Sequence, residues 1–162
     1  MDLRAFLYSS IATESLKVDS DPQRAREMLE EIVEAALKAP KTVTTARALL
    51  AVGYLYTKID MNRAIGVVAE AVKLINGLEK PDFSRQFVIR KIQGKTFGIF
   101  GSAVTPGFNP ENAFREIGKV DPDGILNQAA GFSDKLFRSM TTLAVVEECL
   151  KPEQSAKPGT KP

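Results

Sequence analysis

Two stretches of this chain share a register. Asp21, Arg24, Ala25, Glu31 and Val33 recur as Asp60, Arg63, Ala64, Glu70 and Val72, each 39 residues further on, and Met28-Leu29 corresponds to Val67-Val68. Internal similarity at such a period marks helix-pair repeats, in which one pair cannot bury its apolar face alone and stacks on the next. The constraint is strong, because it fixes the phase of two helices and the length of what lies between them.

The second copy is the clearer. Asp60 can accept hydrogen bonds from the first amides of a helix. At roughly 100° per residue, Met61, Ala64, Ile65, Val67, Val68, Ala71, Val72, Leu74, Ile75 and Leu78 fill one half of the wheel. Asn76-Gly77 then suits a stop, with Pro81 beyond it. In the first copy Asp21 caps and Pro22 takes the first helical position, where its missing amide costs little. That helix runs to about Lys38, with Ala25, Met28, Leu29, Ile32, Val33 and Ala36 inward, and Ala39-Pro40-Lys41 ends it. Glu27, Glu30, Glu31 and Glu34 lie mainly on its solvated side, and Glu34 with Lys38 makes a favourable i,i+4 pair.

Each of these helices follows a partner. Residues 3 to 17 predict a first helix through Leu3, Phe6, Leu7, Ile11 and Leu16. Thr44 to Ile59 predict a third, whose apolar arc (Ala46, Leu49, Leu50, Val52, Gly53 and Tyr56, widened by Ala48 and Leu55) is too broad for a single neighbour. Its small residues Ala46, Ala48, Ala51 and Gly53 permit close helix approach. A helix inside a stacked layer and an interior helix of an ordinary bundle both fit that arc.

Over residues 3 to 79 the chain resembles tetratricopeptide-like and related helical-repeat proteins of bacteria. Ala64, Val68, Ala71 and Val72 follow the second-helix pattern of that motif except that Val68 stands where it has an aromatic; Gly53 and the tyrosines of the preceding helix lie one residue out of place. The resemblance implies an α-solenoid architecture and partner binding through exposed helix faces, and transfers no active site.

From Pro81 the texture changes. Phe87, Val88, Ile89 and Ile92 face Phe97, Ile99 and Phe100 across Gln93-Gly94-Lys95, which reads as a β-hairpin, although a helix over 82 to 92 fits as well. Asn109-Pro110 starts a helix carrying Ala113, Phe114, Ile117 and Val120. Asp121-Pro122 starts a short one with Ile125, Leu126 and Ala129. After Gly131-Phe132, Ser133 or Asp134 caps a last helix through Leu150, with Leu136, Met140, Leu143, Ala144 and Val146 supplying much of its apolar side. The predicted fold is therefore mainly α: a single domain over 1–150, with two antiparallel helix pairs (3–79), an irregular or hairpin insert (80–108) and a divergent helical cap (109–150). Residues 151–162 predict a disordered tail.

Composition narrows the chemistry. With 162 residues, no histidine and one cysteine, the chain has no histidine-based nucleophile system, no histidine-ligated metal site and no internal disulfide. Cys149, in an apolar helix, reads as packing. Adjacent acids such as Glu30-Glu31 and Glu147-Glu148 diverge by about 100° on a helix and cannot flank one bond together. Gly94-Lys95-Thr96 echoes a phosphate loop, but Ile89 stands where that loop needs glycine. No catalytic, metal or cofactor residue is assigned.

A net charge of +2 makes no demand for an acidic partner. No apolar run approaches the 18 or so residues of a membrane span. The compartment stays open: the cytoplasm is favoured, and a chain whose signal peptide has been removed would look the same.

Two binding patches are expected. Arg47, Tyr54 and Lys58 fall at i, i+7 and i+11 on the polar side of the third helix, a stripe where a protein or peptide ligand would dock. Arg90, Lys91 and Lys95, among Phe83, Phe87, Phe97 and Phe100, form the most basic segment and could bind a small-molecule ligand or clasp a single-stranded nucleic acid. Nucleic acid is the weaker expectation given the small net charge. The function expected is a non-enzymatic protein-interaction or scaffolding module.

Overall fold

A computed structural model describes residues 21–84, 90–93, 96–99 and 109–151. The chain is mainly helical. In order, the described elements are α1 (Pro22–Lys38), α2 (Val43–Tyr56), α3 (Met61–Asn76), strands β1 (Arg90–Gln93) and β2 (Thr96–Ile99), then α4 (Pro110–Gly118), α5 (Pro122–Ala130) and α6 (Lys135–Cys149). The helix expected over 3–17 and the tail beyond Lys151 lie outside the described residues.

Every one of these helices begins on a side-chain cap. Asp21, Thr42, Asp60, Asn109, Asp121 and Asp134 each accept from a backbone amide of the first turn. Proline follows the cap in α1, α4 and α5, where its fixed φ starts the helix without losing a bond. These short polar residues set where each helix starts, and so set the phase of the faces that follow.

The 39-residue register carries through to burial. Ala25 and Ala64, Leu29 and Val68, Val33 and Val72, and Ala36 and Ile75 are all buried at equivalent places in α1 and α3. Between these two helices lies α2, buried from Thr45 to Gly53 without interruption and again at Leu55 and Tyr56. It packs on α1, α3 and α4, which is why its apolar arc is so wide. α2 and α3 approach closely at Gly53: a Cβ there would stand 2.7 Å from Val68 Cγ2.

The closing half packs α4 and α5 on α6, with α4 also against α2 and α5 against α3. Phe114, Phe132, Phe137 and Phe83 knit it to the front, with ring centroids 5.5 Å (Phe114–Phe132), 5.8 Å (Phe132–Phe137) and 5.6 Å (Phe83–Phe137) apart. Asn76 adds a polar tie between α3 and the turn into α6. Its Nδ2 donates to the Gly131 carbonyl at 2.8 Å, and its Oδ1 accepts from the Ser133 amide at 2.8 Å.

In the intervening segment β1 and β2 pair antiparallel, from Arg90 opposite Ile99 to Gln93 opposite Thr96. Gly94, Lys95 and residues 100–108 are outside the described residues.

The apolar side of α6 is not the one the leucines suggest: Phe137, Thr141, Ala144 and Val145 are buried, while Leu136, Leu143 and Val146 face solvent. The aromatic ring decides the phase, because Phe137 completes the phenylalanine cluster. Cys149 is exposed, not packed, since it sits in the last turn, about 120° round the helix from Phe137.

Candidate interaction surfaces

Arg47 does not belong to a surface stripe. It is 9% exposed, and its guanidinium donates to the Phe83 carbonyl at 2.9 Å while lying 5.6 Å from the centroid of the Phe83 ring. The segment Pro81–Ser84 crosses over α2 at this point and covers it. A sequence reading that stops at the helix wheel has no way to see a chain returning from 36 positions away. Tyr54 is half-buried and Lys58 lies across its ring at 5.6 Å, so two of the three residues reach the surface and the third anchors a crossing stretch of backbone. Phe83 itself is buried, so it cannot be a stacking platform for a base. Of the basic segment, Arg90 and Lys91 belong to the backbone of β1, and Lys95 is outside the described residues.

The densest polar cluster joins α1 to the α2–α3 turn. Arg63 grips Glu30 with two bonds, Nε to Oε1 at 2.9 Å and a terminal nitrogen to Oε2 at 2.6 Å. Tyr56 donates its hydroxyl to Glu30 Oε1 at 2.7 Å, and Arg26 lies 3.6 Å from Asp60. The Arg63 hydrogen bonds hold the Glu30 carboxyl below its ordinary range despite partial burial. Burial, followed by the neighbouring Glu30 carboxylate, pushes the Tyr56 phenol well above its usual value. Each group is satisfied by the others, which is the pattern of a cross-brace between α1 and α3 and offers no unpaired base. Helical periodicity places Glu30 on the solvated side of α1; no local pattern marks a partner 33 residues away.

A cleft of about 230 Å³ opens between the C-terminal parts of α1 and α3 beside the middle of α2, its apolar lining including Ala36, Leu49 and Leu74. Its charged lining is Lys41, Glu70 and Lys73, and the last two are paired at 2.7 Å. Among the described residues no group of three or more His, Cys, Asp or Glu comes together to hold a metal ion. No helix among them is long and apolar enough to cross a membrane.

The outward face of α6 is the most unusual surface. Leu136 is 72% exposed, Leu143 59%, Val146 38% and Leu150 76%, with Met140 half-buried beside them. At 100° per residue these positions share an arc of about 120°, nearly opposite the Phe137–Thr141–Val145 face. α6 is thus apolar on two sides, one of them in water. Scattered exposed leucines need no explanation; here the apolar side chains share one arc of a single helix, with exposed Ser139 and Glu147 set among them.

No protein-family model, curated protein or solved structure matches the chain.

Proposed function

We propose that this chain is a non-enzymatic protein-interaction module: a short stack of helical repeats whose last helix presents an apolar docking face. α1 and α3 are read as equivalent second helices of a tetratricopeptide-like repeat, and α4–α6 as the divergent layer that closes the stack. Support comes from the paired caps Asp21 and Asp60 and from the buried positions that coincide at 39-residue spacing.

The observation that carries the reading is the outward face of α6. Covering three leucines and a valine would yield about 5 kcal/mol of gross burial energy, at ~25 cal/mol per Å². Association itself costs about 4–15 kcal/mol. A partner that holds must therefore bring an apolar face of its own.

The test uses the full chain as bait beside the variant Leu143→Glu/Leu150→Glu. Both positions are exposed, so the helical circular-dichroism spectrum should be unchanged. Quantitative affinity capture should show the specific partners of the wild type lost from the variant. An identical partner set on both baits would overturn the proposal.

A further inference from the structure

Beyond α3 the chain crosses α2 as a strap, residues 78–84. Within it Lys80 has φ 51°, the one positive φ outside glycine among the described residues. Two local preferences oppose that angle. A Cβ disfavours the left-handed region, and a residue before proline prefers extended backbone. Such conformations persist only where their surroundings over-determine them, and they collect at clamps and switches.

What holds Lys80 there lies three residues on. Phe83 is buried between an exposed Asp82 and an exposed Ser84. Its ring meets Phe137 of α6 edge-on, 5.6 Å between centroids and 78° between planes, and Arg47 of α2 lies 5.6 Å from its centroid. The Phe83 carbonyl accepts from Arg47 at 2.9 Å. The Ser84 amide and hydroxyl donate to Asp82 Oδ1 at 2.9 and 2.5 Å, bonds that stay inside the strap and travel with it. Among the described residues no backbone–backbone hydrogen bond joins residues 80–84 to a helix. One ring in a slot and one main-chain carbonyl on a guanidinium is how a bound peptide is fastened.

We infer that the strap is an internal ligand, released by rotation at Lys80, and that the slot it vacates between Arg47 and Phe137 takes the phenylalanine of a non-helical peptide segment from a partner protein. The groups present set that chemistry. The ring slot selects an aromatic side chain, Arg47 lies against its face, and the same guanidinium reads a carbonyl that every peptide carries. The slot is on the inward side of α6, so it goes beyond the outward docking face and does not depend on it. A free copy of the strap must compete with the tethered one at the effective concentration of the tether, which is millimolar for a short connection. Strain at Lys80 disfavours the closed strap and lowers that concentration.

The test uses the full chain carrying para-fluorophenylalanine at position 83, titrated with the end-blocked peptide Glu-Lys-Pro-Asp-Phe-Ser, the sequence of residues 79–84. The fluorine resonance should move from its buried to its solvated position with a midpoint below about 10 mM, while the helical circular-dichroism signal stays constant. The same peptide with alanine for phenylalanine should be weaker by about 10-fold or more. Lys80→Gly in the chain, at an exposed position, should raise the midpoint by about 5-fold or more, because glycine adopts the hinge angle without steric cost. A resonance that keeps its buried position up to about 10 mM peptide overturns the proposal, as does one that moves only when helix is lost. So does an alanine peptide that displaces equally well, or a Lys80→Gly chain displaced as easily as the wild type. Affinity capture with the Leu143→Glu/Leu150→Glu bait decides the outward face separately.

Discussion

Replacing Gly53 by alanine is the most direct probe of how α2 and α3 meet. In an isolated helix the change would stabilise by about 1 kcal/mol, because glycine loses more backbone freedom. Here the added methyl would stand 2.7 Å from Val68 Cγ2 and 3.5 Å from the Ala64 carbonyl. The first distance is about 1 Å inside an optimal carbon–carbon contact. Val68 cannot yield cheaply: it is fully buried, and a β-branched side chain in a helix has essentially one rotamer. Overpacking of this kind costs about 1–3 kcal/mol, so the net expectation for Gly53→Ala is a loss of about 0–2 kcal/mol where propensity predicts a gain. Val68→Ala alone should cost about 1.5–3 kcal/mol as a cavity. In the double variant the methyl introduced at position 53 occupies the vacated space, so the sum of the single losses should exceed the double loss by about 1–3 kcal/mol. Urea titration followed by circular dichroism measures all four corners of the cycle. At this chain length each kcal/mol also moves the melting temperature by about 2–4 °C. A stabilised Gly53→Ala protein with additive energies would refute the close approach and the helix-pair packing built on it.

Two further outcomes follow from the polar contacts. Arg47→Ala should destabilise by about 2–3 kcal/mol, read by denaturant titration, because it leaves the Phe83 carbonyl without this donor and removes a stacked guanidinium; Arg47→Lys should recover little of it. An Arg47→Ala protein as stable as the parent would return that residue to the surface. Glu30→Gln should cost about 1 kcal/mol at neutral pH, a figure reduced for the exposure of the Arg63 pair. Its pH signature is sharper. Glu30 titrates below its ordinary 4.5 when folded, so its contribution is complete above that value and disappears as pH falls through the lowered pKa. Tyr56 titrates above its ordinary 10 when folded, so its contribution is complete below 10 and is lost as pH rises past it. Stability against pH for Glu30→Gln should have a flatter acid limb; an unchanged limb would sink the assignment.

What could be read from the residues alone was whatever is local. Asp21 and Asp60 announce their helices because a cap bonds within its own first turn, and the buried positions of α1 and α3 coincide at 39-residue spacing because each face follows the periodicity of its own helix. The breadth of the α2 arc correctly pointed to several neighbours. Long-range contacts left no such mark. Arg47 looks like a surface charge until Pro81–Ser84 passes over it, and Glu30 looks solvated until Arg63 and Tyr56 close on it. On α6 the count of leucines favoured the wrong face, because one phenylalanine set between the rings of Phe83 and Phe132 outweighs them. The outward stripe is the same error seen from the other side: apolar periodicity says that a face wants company, not whether that company is intramolecular.

Asn76 holds its neighbours with both ends of one amide, and it is followed by Gly77. Asparagine before glycine is the pair that most readily loses its side-chain amide: the glycine nitrogen attacks the side-chain carbonyl, a succinimide closes with release of ammonia, and water opens that ring to aspartate and, in larger part, to isoaspartate. Aspartate at this position could still accept from Ser133 but would turn an acceptor, not a donor, toward Gly131. The joint between the two halves of the protein therefore carries its own ageing reaction, and stored samples should loosen there in step with the mass change of deamidation. Equal amide-exchange protection at Ser133 in fresh and fully deamidated protein would show that the joint does not depend on this side chain.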